Sequence, residues 1–181
     1  VLFPCPIFQK TSILDPTAWI PPRPEGDQRV RIGLAHGSLQ ILGEQTPMDF
    51  PIPLDRQLRS GLDYLALGDW HGMRIVNASA YPGAHEQTSF ADRDSGNVLI
   101  VDIPSSGAVP SIRPERVGIY VWKKIDALIQ DQTDVSSLRS HVMSLGPVES
   151  LCLQISIQFG VGIASETIEL LDSVRSELEG A

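Results

Sequence analysis

Asp69 and His71 stand two residues apart at the end of an apolar run, in Gly61-Leu62-Asp63-Tyr64-Leu65-Ala66-Leu67-Gly68-Asp69-Trp70-His71-Gly72. Carboxylate and imidazole both ligate divalent metals, and the carboxylate is the harder donor. A buried strand that ends in a glycine turn can present such side chains at a sheet edge. Taken alone, the stretch also fits a strand closed by a turn in which Asp69 bonds its own backbone. A second apolar run, Val30-Arg31-Ile32-Gly33-Leu34-Ala35, ends in His36-Gly37 and adds a third candidate ligand.

The elements that must position these residues are legible on both sides. Residues 1–28 hold six prolines, Pro4 to Pro24, and read as extended and loop-like after a short apolar start at Val1 to Phe3. Asp15-Pro16 predicts one helical turn, with Asp15 as cap and Trp19 as a packing anchor. Val30 to Ala35 predicts a strand, and 37–53 a loop marked by Gly43, Pro47, Pro51 and Pro53. Leu54, Leu58 and Leu62 recur every four residues and predict a short helix before the central strand. Met73 to Ala78 and Asn97 to Ile103 read as further strands. Pro104-Ser105-Ser106-Gly107 with Pro110 predicts a domain boundary, placing residues 1–113 in one domain and 114–181 in another.

The second domain repeats strand then helix. Val117, Ile119 and Val121 alternate with Gly118, Tyr120 and Trp122. Asp134 predicts a cap for a helix carrying Val135, Leu138, Val142 and Leu145 and ended by Gly146-Pro147. Leu151, Leu153, Ile155, Ile157 and Phe159 alternate with Cys152, Gln154, Ser156 and Gln158, a strand with one face wet. Ser165 predicts the cap of a last helix carrying Ile168, Leu171, Val174 and Leu178, with Gly180 after it. This layout predicts a small sheet with both helices on one face.

Strand-His-Gly, then strand-Gly-Asp-x-His-Gly, then Tyr81-Pro82-Gly83-Ala84-His85-Glu86 resembles, in that order, the second half of a calcineurin-like metallophosphoesterase domain. Within that superfamily the pattern is most similar to the SbcD/YhaO branch of bacterial DNA repair exonucleases. The resemblance implies an α+β (α/β-type) fold: the second half of a metallophosphoesterase β-sandwich flanked by helices, then a β-α-β-α capping domain. It implies two divalent ions, manganese foremost, with His36, Asp69 and His71 among the ligands. Asp69 stands where the family usually has His. Trp70 and His85 fall at the periphery of the expected site. His85 has no counterpart in the family pattern and reads most simply as a surface histidine.

The family's other ligands lie in Asp-x-His, Gly-Asp and Gly-Asn-His-Asp elements expected ahead of this stretch; no Gly-Asn-His-Asp occurs in this chain, and Asp15, Asp27 and Asp49 sit in the wrong contexts for the others. The expectation is therefore a fragment that holds part of the ligand set, has no catalytic residue of its own and is inactive alone. Its parent is expected to be a manganese-dependent nuclease that cuts DNA beside an SbcC-like coiled-coil ATPase. Half of such a fold leaves a sheet face and edge uncovered, so a homodimer or a partner is expected. The rival readings are a phosphatase of the same superfamily and a non-catalytic assembly subunit with a decayed metal site.

Composition bounds these readings. The formal net charge is -8, which argues against a general nucleic-acid coat. It leaves a nuclease open, because bound cations change the local field. Residues 1–113 carry 12 acids and 9 bases, and residues 114–181 carry 10 acids and 5 bases, so the second part is the poorer surface for DNA. No apolar run approaches the roughly 18 residues of a membrane span, and nothing reads as a signal peptide. Cys5 and Cys152 lie far apart, Cys152 within a strand pattern, and a reducing cytoplasmic setting is expected.

Overall fold

A computed structural model describes residues 1–41 and 49–179. Gly43, Pro47 and Gly180 fall outside the described residues. The fold is mixed α/β, and the chain divides into two compact units. The first is Val1–Glu86 with Asp92–Gly118, and the second is Gln87–Ala91 with Ile119 onward.

The first unit is built on strands β1 (Leu2–Cys5) and β2 (Ile32–His36), a short pair β3 (Leu39–Gln40) and β4 (Ile52–Pro53), and helix α1 (Arg56–Arg59). Strands β5 (Tyr64–Gly68), β6 (Arg74–Val76) and β7 (Ser79–Tyr81) follow. A five-stranded sheet runs β1-β2-β5-β7-β6, parallel except for β6 against β7. The apolar runs form its centre: β5 buries Tyr64, Leu65 and Leu67, while β2 buries Gly33 and Ala35 and leaves Leu34 half-exposed. Cys5, Ala35, Leu65, Leu67 and Tyr81 share a core with Ile20, Leu39, Ile52 and Leu62 from the connecting segments. Over the other face lies a cavity of about 710 Å³, lined by Leu34, Ala66, Val98 and Leu99 among others.

Short helix α1 departs from the sequence pattern. It closes at Arg59, so Leu62 lies beyond it, buried, while Leu58 is exposed. Gly61 ends this segment at φ 56°, a left-handed turn that suits glycine. Strands β8 (Asn97–Asp102) and β9 (Ser111–Arg116) form an antiparallel hairpin, and the 104–110 stretch, rich in turn residues, is its connection.

Asp63 ties the start of β5 to its surroundings. Its carboxylate accepts hydrogen bonds from the Arg31 amide (2.7 Å), the Gly107 amide (2.7 Å) and Arg23 Nη2 (2.8 Å). Burial pushes this carboxyl up, but the two amides and the Arg23 guanidinium outweigh it, and the net shift is down. Arg31 itself is buried, with its guanidinium 4.7 Å above the Phe3 ring and Nη2 donating to Pro21 O.

The second unit comprises β10 (Val121–Ile129), α2 (Gln132–Ser144), a 3₁₀ turn at Val148–Ser150, β11 (Leu151–Phe159) and α3 (Ser165–Glu179). Strands β10 and β11 are parallel, pairing Val121 with Leu151 through Ile129 with Phe159. Both helices pack on one face: Val135, Leu138 and Val142 of α2 and Val174 of α3 join Ile129 in a core extended by Ile125, Ala127, Leu153 and Ile155. The cap of α2 is Asp131, whose side chain accepts from the Thr133 and Asp134 amides. Asp134, the cap expected from sequence, instead sits at the third helical position and closes a capping box by accepting from the Asp131 amide.

Candidate metal half-site at the carboxyl edge of the sheet

Parallel strands β1, β2, β5 and β7 all end at the same edge, where open α/β sheets usually bind ligands. The register sets His36, the last residue of β2, beside Gly68, the last of β5. Gly37 N donates to Gly68 O (3.1 Å) and locks the two strand ends together. Gly68 leaves room for the imidazole: a Cβ there would lie 3.1 Å from His36 Nδ1. Gly37 is needed for a stricter reason, since a Cβ there would fall 2.3 Å from Phe50 O.

Asp69 follows at φ 114°, a positive value that a non-glycine residue adopts only at a cost. That backbone turn swings its carboxylate toward β2. Asp69 Oδ1 lies 3.6 Å from His36 Nε2, and Asp69 Oδ2 accepts from Ser38 Oγ at 2.8 Å. Both the imidazole and the carboxylate are half-exposed, so an ion can reach them from solvent.

The loop that carries His36 and Ser38 is held from below by Tyr81. Its hydroxyl donates to Gly37 O (2.7 Å) and accepts from Leu39 N (2.9 Å), bracketing Ser38. Burial of the phenol pushes its pKa up to about 12, and the nearby Asp69 charge pushes the same way. Neither Ser38 nor Tyr81 was singled out from sequence. The signal for Ser38 was its place two residues after His36. For Tyr81 it was an aromatic hydroxyl opening the Tyr-Pro-Gly turn, since a buried tyrosine hydroxyl needs a partner.

His71 lies apart from the His36–Asp69 pair. Its Nδ1 is 3.9 Å from Asp92 Oδ1 and its side chain is largely exposed. Gly68 ends the strand, so the period-two rule that would align residues 69 and 71 no longer holds past it. The backbone of His71 is fixed by Ala84 N, which donates to His71 O (2.8 Å). Trp70 is half-exposed, and His85 is exposed at the rim of the 710 Å³ cavity that His36 also lines.

The donor chemistry fits a divalent cation at two positions: one imidazole nitrogen and one carboxylate oxygen, 3.6 Å apart at adjacent strand ends. Among the described residues, no group of three or more His, Cys, Asp or Glu side chains is placed to hold a metal ion. Neither a family model nor a curated protein matches this chain. Among the described residues, no helix is long and apolar enough to cross a membrane.

Proposed function

We propose that this chain contributes one side of a two-metal centre that hydrolyses phosphodiester bonds in DNA, manganese being the ion, with further ligands supplied from outside the described residues. The observation that carries the reading is the placement of His36 and Asp69 at adjacent carboxyl ends of parallel strands, 3.6 Å apart. The order of motifs, which resembles the second half of an SbcD-type metallophosphoesterase, supports it. In this reading the first unit is half of a metallophosphoesterase sandwich, and the second is a capping domain. The protein works in the cytoplasm with a coiled-coil ATPase.

Bound metals supply a lowered water pKa and charge neutralisation at the phosphate. The chain's own residues orient the donors. Ser38 holds one carboxylate oxygen of Asp69, leaving the other facing His36. Tyr81, kept neutral by burial, fixes the backbone on both sides of Ser38. The strained Asp69 backbone is the cost of bringing the carboxylate to the imidazole.

The test is manganese-dependent cleavage of single- and double-stranded DNA. The chain alone leaves both intact, and the intact protein cuts. In the intact protein His36→Ala and Asp69→Ala each abolish cutting, and Asp69→His, which installs the family's usual ligand, alters the metal dependence. Rates unchanged in all three variants would show a non-catalytic assembly role instead.

A further inference from the structure

Among the described residues, strand β11 is a nine-residue edge of a two-stranded sheet. Among the described residues it pairs only with β10, so alternate N–H and C=O groups along about 30 Å of backbone face outward. Exposed edges are usually guarded by charge or proline. Strand β10 carries Lys123, Lys124 and Asp126, and its Trp122 and Lys124 are further covered by Phe90. Strand β11, Leu-Cys-Leu-Gln-Ile-Ser-Ile-Gln-Phe, carries neither a charge nor a proline.

The inner face of β11 is also incomplete. Ile129 of β10 is 1% exposed, yet Leu151, Leu153, Ile155 and Ile157 all remain partly exposed, and Phe159 is 53% exposed. A groove of about 550 Å³ separates this strand from α3, lined by Leu153, Ile155, Phe159, Ile168, Leu171 and Leu178.

We propose that β11 is a homodimer interface, in which a second copy adds its own β11 antiparallel about a two-fold axis through Ile155. The sequence is self-complementary in that register. Leu151 then faces Phe159, Leu153 faces Ile157 and Ile155 faces itself, apolar against apolar on the inner face. Cys152 faces Gln158 and Gln154 faces Ser156 on the outer face, and no like charges meet. The result is a four-stranded sheet, β10-β11-β11-β10, whose inner face continues across the axis. The acidic net charge of each copy opposes association at long range, so added salt strengthens the dimer.

Gln154 and Ser156 are exposed, so their substitution spares the fold. Gln154→Lys with Ser156→Lys places like charges opposite each other twice across the axis. Gln154→Glu with Ser156→Lys places opposite charges there, and each new charge also lies beside an opposite one in the same chain, Lys124 or Asp126. Sedimentation equilibrium on the full chain reads both, with circular dichroism as the check on folding. The expected result is a salt-strengthened dimer, weakened about tenfold by the Lys/Lys pair and restored by the Glu/Lys pair. A monomer at all concentrations, a Lys/Lys variant as dimeric as the parent, or a β11 edge protected from hydrogen exchange only by a different protein would overturn the proposal.

Discussion

Removing the Asp63 carboxylate should cost the first unit about a third of an ordinary domain's stability. Asp63→Ala strips an acceptor from the Arg31 amide, which is buried where water cannot replace it. An unmet buried amide costs about 1–3 kcal/mol. The change also ends the charged bond from Arg23, whose side chain is 22% exposed and keeps its bonds to Gly61, Asp27 and Arg29 oxygens. A hydrogen bond to a charged partner contributes about 1.5–3 kcal/mol, at the low end here because Arg23 can rehydrate. The Gly107 amide sits on an exposed residue and recovers water at little cost. The sum is about 3–4 kcal/mol, within the range for breaking a buried ion pair and large against a total of about 5–15 kcal/mol.

Two units in one chain make a single unfolding midpoint ambiguous. Hydrogen exchange by mass spectrometry on peptides from β2 and β5, across a urea series, reads the first unit alone. The pH dependence gives a second handle. The folded-state pKa of Asp63 is depressed, so its contribution is present above the ordinary carboxylate range and is lost as pH falls through the lowered value. Asp63→Asn should therefore flatten the acid limb of stability below about pH 4. Glu115→Gln, at an exposed pair with Arg113, is the control and should leave the β2 and β5 peptides unchanged. Exchange in Asp63→Ala indistinguishable from the parent would refute the assignment of Asp63 as the hub.

Tyr81→Phe removes both bonds that bracket Ser38 and should destabilise the first unit by about 1–3 kcal/mol, measured by the same exchange experiment. Tyr81 titrates at about 12, above its ordinary value. Stability is therefore intact below about pH 10 and falls as pH rises from there toward 12, and an ultraviolet titration of the parent should show a late tyrosine step that the variant lacks. Asp69→Gly relieves the positive φ and should hold or raise the stability of the first unit, by up to about 1 kcal/mol, while manganese binding is lost. Faster exchange of the β2 and β5 peptides than in the parent would show that Asp69 supports the fold rather than a ligand.

Of the strands that bury one face in the second unit, β11 declared itself, whereas the alternation at Val117, Ile119 and Val121 lies largely ahead of β10, which runs Val121–Ile129. The alternation at Leu151–Phe159 matches β11 residue for residue, and the apolar runs before His36 and Gly68 are β2 and β5. Strand β9 was illegible for a physical reason. Ser111–Arg116 carries two arginines, a glutamate and Pro114, and it forms because β8 offers a partner, not because it buries a face of its own. The turn before it, rich in Ser, Gly and Pro, therefore read as a domain boundary. Asp131 and Asp134 both fit a cap by type. Only the backbone decides between them, since Asp131 is extended at φ -149° and its carboxylate reaches the Thr133 amide. At the site, sequence placed His36 and Asp69 at strand ends but could not show that the chain turns at Asp69. That turn brings the carboxylate to His36 and sends His71 toward Asp92.

The most direct test of the account titrates Mn²⁺ into ¹⁵N-labelled chain and follows paramagnetic broadening of the backbone amides. The account predicts that the amides of His36 to Ser38 and Gly68 to Trp70 broaden first, and that both His36→Ala and Asp69→Ala abolish the effect. Broadening that begins at other acidic positions, or persists at this edge in both variants, would contradict the claim that His36 and Asp69 form a metal half-site.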